Sequence, residues 1–324
     1  MKVADSVLMA GMRAPPTIEA QRDDFRVETS PNVHTICQLY YTPLSHRGAG
    51  APPEEPDQPD FSSPRSRGGS TNVCPQFESD HTAAMQTYQT ALAPALALQP
   101  DFIFTHGKGS RLDNPTIVAF AQGFARTHRV LCFEGDDNMV RRTVLFRSLA
   151  NLYPTATVVG GRSMGSRAAV RSAIYSPIKK LIFFTYPLTR DLQERYEELL
   201  ALDCDTDVLF IVGDMDPLCI ELLLKPVRAR MRARSWWIRM VNGDHALWWE
   251  PEAARHNICN VAGQLAAKWH ESRDPALTEM TLRISGEQVV WDAWHAPTVE
   301  TNKALTTLTV STNGTPNFNF TLPG

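Results

Sequence analysis

Residues 161–165 read Gly161-Arg162-Ser163-Met164-Gly165, a serine held between two glycines inside the longer run GGRSMGSRAA. A serine hydroxyl attacks a carbonyl only when a base takes its proton, and that base needs a third group to orient it. The matching base is His245, in VNGDHALWW. Of the nine histidines it alone follows an apolar, strand-like run and precedes a helical one. The matching acid lies in FIVGDMDPLC. Asp216 is preferred, because the Gly213-x-x-Asp216 spacing lets the loop turn before the carboxylate points back; Asp214 is the alternative. An aspartate that only caps the helix starting at Pro217 has the same sequence signature.

Acyl transfer also needs donors for the oxyanion that forms on the carbonyl oxygen. The Met164 amide, at a helix N-terminus, is one candidate. The loop THGKGS supplies the others, the amides of Gly107 and Lys108, behind a His106-Gly107 pair. Arg162 and Arg167 flank the serine, and either could bind a substrate carboxylate. An intramolecular ion pair that fixes the helix is the plainer role for them. Trp248 and Trp249 either wall the site or pack.

These side chains must be held by strand ends. From residue 101 the chain alternates short apolar runs with amphipathic ones: DFIFTHG, then NPTIVAFAQGFART, HRVLCFEG, NMVRRTVLFRSLANLY, TATVVGG and MGSRAAVRSAIYS. KKLIFFTYP, RDLQERYEELLAL, TDVLFIVGD, PLCIELLLKPVRARMRA, SWWIRMV and PEAARHNICNVAGQLAAKWHES continue the pattern. Near-continuous apolar strands alternating with helices predict a mostly parallel, doubly wound α/β sheet. Ser163, Asp216 and His245 each follow such a strand, in the chain order Ser, Asp, His. The segment between KKLIFFTYP and TDVLFIVGD has room for one helix, so no separate lid domain is expected. The helix after Pro217 is expected to be interrupted at Pro226.

Outside this rhythm, residues 1–24 are expected to be a disordered tail, and FRVETSPNVHTICQLYYTP to form two strands around a Ser30-Pro31-Asn32 turn. Residues 44–75 are rich in Pro, Gly and Ser, and are expected to be a disordered insertion. The α/β domain thus spans 25–273, followed by a 274–324 extension with strand-like pieces and no assigned role.

The 324 residues carry a net charge of −3 and 43% hydrophobic residues, enough for a sizeable core. No nucleic-acid partner and no membrane span are expected. Six cysteines, at 37, 74, 132, 204, 219 and 259, form no CxxC pair. That pattern suits a reduced intracellular protein, cytoplasmic or nuclear. No H-E-x-x-H pattern occurs, and no metal or cofactor is implied.

Taken together, THGKGS, GGRSMGSRAA, FTYPL, VLFIVGDMDPLC and NGDHAL resemble the KANL/Tex branch of α/β-hydrolase-like proteins. That branch includes a testis-expressed member, the third subunit of the non-specific-lethal histone acetyltransferase complex, and bacterial proteins similar to dienelactone hydrolase. The resemblance covers about residues 100–273. It implies the α/β-hydrolase fold and a Ser-Asp-His constellation on Ser163, Asp216 and His245. A serine hydrolase acting on a small acyl substrate is the expected function. Some members look like scaffold subunits, so the alternative is a non-catalytic scaffold of a protein complex, docking partners through the insertion or the extension.

Overall fold

The structure, a computed structural model, describes residues 20–30, 33–43, 99–174, 176–190 and 193–297. The expected insertion at 44–75 lies outside the described residues, as do most of the N-terminal tail and everything beyond 297.

Two long strands come first among the described residues, β1 (Gln21–Ser30) and β2 (Val33–Tyr41), paired antiparallel. β1 starts inside the expected tail, because its register runs back to Gln21 opposite Tyr41. Its early residues, Gln21 to Asp24, are polar and exposed, so backbone pairing at a sheet edge places them rather than burial.

The apolar runs then become β3 (Phe102–Thr105), β4 (Val130–Phe133), β5 (Val158–Arg162), β6 (Lys180–Phe184), β9 (Asp207–Gly213) and β10 (Arg234–Met240). A small antiparallel ladder, β7 (Thr189–Arg190) with β8 (Gln193–Glu194), stands apart. β11 (Glu279–Ser285) and β12 (Gln288–Trp291) complete a ten-stranded sheet in the order β1-β2-β4-β3-β5-β6-β9-β10-β11-β12. All pairs from β4 across to β11 are parallel. The sheet therefore runs past residue 273: β11 lies parallel to β10, with Trp237 opposite Glu279.

Helices cover both faces. α1 (Pro115–Phe124) and α6 (Glu252–Glu271) pack on one side, burying Phe120, Phe124, Cys259 and Trp269. α2 (Met139–Leu152), α3 (Met164–Ala173) and α5 (Glu221–Arg230) pack on the other, burying Phe146, Leu149, Val170 and Leu224. Helix starts follow the capping rules at two sites. Asn114 Oδ1 accepts the Thr116 amide before Pro115, and Asn138 Oδ1 accepts the amides of Val140 and Arg141.

Two local expectations differ from the structure. α5 runs through Pro226, which forfeits one internal hydrogen bond while Leu224 and Val227 on either side stay buried. Among its described residues, the segment RDLQERYEELLAL holds only the one-turn helix α4 (Glu197–Leu200) after the β7–β8 ladder. Its backbone is satisfied by the preceding loop instead: the Arg195 amide donates to Leu188 O at 2.7 Å, and Tyr186 Oη donates to Arg195 O at 3.0 Å. No separate lid domain stands among the described residues of this segment. No helix among the described residues is long and apolar enough to cross a membrane.

Candidate active site

β5 ends at Arg162, and its ladder carries on for one more bond, from the Ser163 amide to Phe184 O at 3.0 Å. Then the chain reverses into α3. Ser163 takes φ 51° and ψ −113°, a conformation L side chains rarely adopt. The reversal brings two backbones close together. A Cβ on Gly161 would lie 2.4 Å from the Gly165 carbonyl carbon, and one on Gly165 would lie 2.6 Å from Thr105 O. Only glycine fits at both places, which explains the spacing of the motif.

Ser163 occupies the N-cap of α3, and serine is among the best N-cap residues. Its hydroxyl nevertheless caps nothing. Oγ lies 2.9 Å from His245 Nε2, and His245 Nδ1 lies 2.9 Å from Asp216 Oδ2. With its proton on Nδ1, the ring donates to Asp216, and its Nε2 accepts from the Ser163 hydroxyl. Asp216 is fully buried, and its other oxygen accepts the Leu218 amide at 2.8 Å. It therefore orients the histidine and shapes its own loop at once. Asp214, the alternative acid, points elsewhere: its Oδ1 accepts the Asn242 amide at 2.7 Å.

The loop after β3 lies against the serine. A side chain at Gly107 would come 3.3 Å from Ser163 Cβ. His106 is buried, and its Nε2 accepts the Gly135 amide at 2.9 Å. Nδ1 therefore carries the proton and donates to Gly107 O at 2.7 Å. Burial pushes the His106 pKa down, which suits this neutral form. Because C=O and N–H of a trans peptide point opposite ways, the Lys108 amide faces away from the ring. The Met164 amide opens α3 and has no carbonyl behind it within the helix.

A residue the sequence reading passed over braces this loop. Arg142 of α2 is fully buried and donates to three carbonyl oxygens: His106 O, Asp136 O at 2.7 Å and Gly135 O at 2.9 Å. It ties the loop after β3 to the loop after β4. The signal was available, since Arg142 falls on the same helical stripe as the buried Phe146 and Leu149.

Of the two flanking arginines, Arg167 takes the ion-pair role, and Arg162 takes neither role expected of it. Arg167 pairs with Glu198 at 3.3 Å, and Arg171 reaches the same carboxylate oxygen. Arg162 makes no ion pair among the described residues. It is 9% exposed, and its Nη2 donates to His245 O at 2.9 Å. Neither tryptophan lines the cleft: Trp249 donates to Val241 O, and Trp248 stacks under Arg255.

The cleft itself has a volume of about 510 Å³ and contains Ser163, Met164, Lys108 and His245. No group of three or more His, Cys, Asp or Glu side chains among the described residues could hold a metal ion.

A family model described as "Alpha/beta hydrolase domain" matches residues 137–268, which include Ser163, Asp216 and His245. With the strand order above, the architecture is the α/β-hydrolase fold. Among solved structures, the chain is similar to an alpha-beta serine hydrolase homologue from Coxiella burnetii, at 12% identity over 76% of this chain and 96% of that one, with a TM-score of 0.47. It is similar to the esterase domain of a Rhodothermus marinus protein, at 12% identity over 77% and 97%, with a TM-score of 0.48. It is also similar to an a/b serine hydrolase without lid from Xanthomonas campestris, at 13% identity over 81% and 100%, with a TM-score of 0.45.

Proposed function

We propose that this chain is a serine hydrolase that cleaves an ester or related acyl bond. One observation carries the reading: a serine at a helix N-cap leaves the cap unmade and aims its hydroxyl at a histidine held by a buried aspartate. The Arg-Ser-Met-Gly-Ser-Arg core supports the KANL/Tex branch as its relation within the fold.

In the first step Ser163 Oγ bonds to the substrate carbonyl carbon as its proton passes to His245 Nε2. The carbonyl π pair moves onto oxygen, facing the amides of Met164 and of Gly107 or Lys108. The tetrahedral species collapses, the bond to the leaving oxygen breaks, and Nε2–H protonates the departing alcohol. Water then attacks the acyl-serine and gives its proton to Nε2. The bond to Oγ breaks, and Oγ recovers that proton. Asp216 keeps the imidazole in the productive tautomer and stabilises its cationic form.

The test is labelling of the purified chain with a fluorophosphonate probe beside Ser163→Ala. Labelling of the parent alone is expected. A folded parent chain that takes no label overturns the reading and favours the scaffold alternative.

A further inference from the structure

β1 is the last strand of the ten-stranded sheet, and among the described residues no strand pairs with its outer side. Within the described residues, the backbone of 21–27 bonds only to β2. Such an edge is a row of unused N–H and C=O groups, usually guarded by a short strand, a proline or lysines. β1 is ten residues long and has neither proline nor lysine. It carries charges of both signs instead. Alternate side chains of a strand point to opposite faces. Phe25 and Val27 turn onto the core that holds Phe133 and Phe146. The other face carries Arg22, Asp24, Arg26 and Glu28, so the sign alternates along it. Arg22 Nη2 lies 3.1 Å from Asp24 Oδ2, which places both on that face. Arg22, Asp24 and Arg26 are exposed, and Arg26 makes no ion pair among the described residues.

This alternation decides how the strand can pair with itself. Two copies related by a two-fold axis through the sheet pair antiparallel and keep their faces, so the register moves only in steps of two. With the axis at Phe25, Asp24 lies opposite the partner's Arg26, and Arg26 lies opposite the partner's Asp24. Arg22 and the partner's Glu28 are of opposite sign as well. Moving the axis to residue 24 sets Asp24 against the partner's Asp24 and Arg22 against the partner's Arg26. Moving it to residue 26 sets Arg26 against the partner's Arg26. Opposite charges across a strand pair stabilise it and like charges destabilise it, so Asp24 and Arg26 alone select the register centred on Phe25. On the core-facing side the same register brings Phe25, half-buried in one chain, beside the partner's Phe25. Aromatic cross-strand pairs of this kind add to the pairing.

We infer that two copies of this chain join edge to edge through β1, antiparallel about Phe25, into one continuous sheet. The partner is a second copy because the strand complements its own charge pattern. β1 stands four places from β5 in the strand order, about 19 Å at the usual strand spacing, so each copy keeps its own cleft. The pairing does not depend on the hydrolase reading.

Sedimentation equilibrium of the full chain tests this from about 1 to 100 µM, the range expected for so small an interface. The parent should pass from monomer to dimer as concentration rises, and added salt should weaken the dimer. Asp24→Arg and Arg26→Asp each set like charges at both central positions. Each variant should dimerise about tenfold to a hundredfold more weakly than the parent. Mixed together, the two variants bring opposite charges to both positions and should form a heterodimer of near-parental affinity. The double variant Asp24→Arg/Arg26→Asp exchanges the signs and should dimerise with itself. Both side chains are exposed, so circular dichroism of the variants should match the parent. A parent that stays monomeric throughout overturns the inference. A dimer that both single variants leave intact also overturns it, because it forms through another surface. So does a mixture of the two folded variants that stays monomeric. If either single variant misfolds, the double variant decides, and a folded double variant that stays monomeric overturns the inference.

Discussion

Arg162 Nη2 donates to the carbonyl oxygen of His245 across 2.9 Å, so the residue before the serine holds the backbone of the histidine that the serine touches. One strand end thereby fixes both partners of the hydrogen bond. The guanidinium is buried without a carboxylate partner among the described residues, and burial pushes its pKa down. Arg162→Met leaves the His245 carbonyl without this donor and frees the loop to shift. The expected result is a fall in kcat of about tenfold to a hundredfold, the worth of a hydrogen bond to a charged group. KM should change little, because Arg162 is not among the lining residues of the cleft. Arg162→Lys should recover part of the loss. A rise in KM at constant kcat would assign Arg162 to substrate binding instead.

The two aspartates after β9 give a sharper comparison. Asp216 bonds the imidazole, whereas Asp214 bonds the Asn242 amide. Asp216→Asn keeps the size but can present a donor where Nδ1–H needs an acceptor, which favours the wrong tautomer. A loss in kcat of roughly 10³- to 10⁴-fold is expected for that change. Asp214→Asn retains a side-chain oxygen for Asn242 and should stay near parental activity. Equal losses in the two variants would mean that the acid's identity is not what matters.

Gly165 tests the close approach at the turn. A Cβ there meets Thr105 O at 2.6 Å and His106 O at 2.7 Å, both backbone atoms that cannot swing aside. Gly165→Ala should cost about 1–3 kcal/mol through overpacking. Thermal unfolding should report that cost as a lower Tm. Activity should fall further than stability predicts, because the displaced backbone is the loop beside Ser163. A variant with parental Tm and parental rate would show that this contact is not tight in solution.

What was legible in sequence follows from what is local. Ser163, Asp216 and His245 each follow an apolar strand, and the glycines at 161 and 165 mark a turn that admits no side chain. Strand alternation alone placed them at one edge of the sheet. The bracing was not legible in the same way. Arg162 and His245 are 83 residues apart, and Arg142 and His106 are 36 apart, so their contacts exist only once the loops meet. The segment 190–202 carries helix-forming residues, but tertiary hydrogen bonds to the preceding loop compete with all but one turn. β11 and β12 were hard to assign because they lie at the sheet's far edge, where many of their side chains are exposed and the apolar pattern thins.

A histidine away from the cleft sets a pH dependence of stability. His270, near the end of α6, is partly buried against Phe124 and surrounded by cations. Lys180 Nζ lies 3.5 Å from its Nδ1, Arg273 donates to its carbonyl at 3.3 Å, and the His128 ring stands 4.8 Å away. The acids nearby are engaged elsewhere, Glu271 with His128 and Asp207 with Arg273. Burial first, then these cations, lowers its pKa from 6.5 to about 3. The unfolded chain therefore binds a proton that the folded chain refuses between those two values. This contribution to stability is complete above the unfolded pKa and drains away as pH falls toward the folded one. Tm should drop between pH 7.5 and 5.0, before most carboxylates titrate. His270→Gln, which cannot take the proton, should flatten that part of the curve. Thermal melts of parent and variant across the same buffers decide it: parallel curves would remove His270 as the cause.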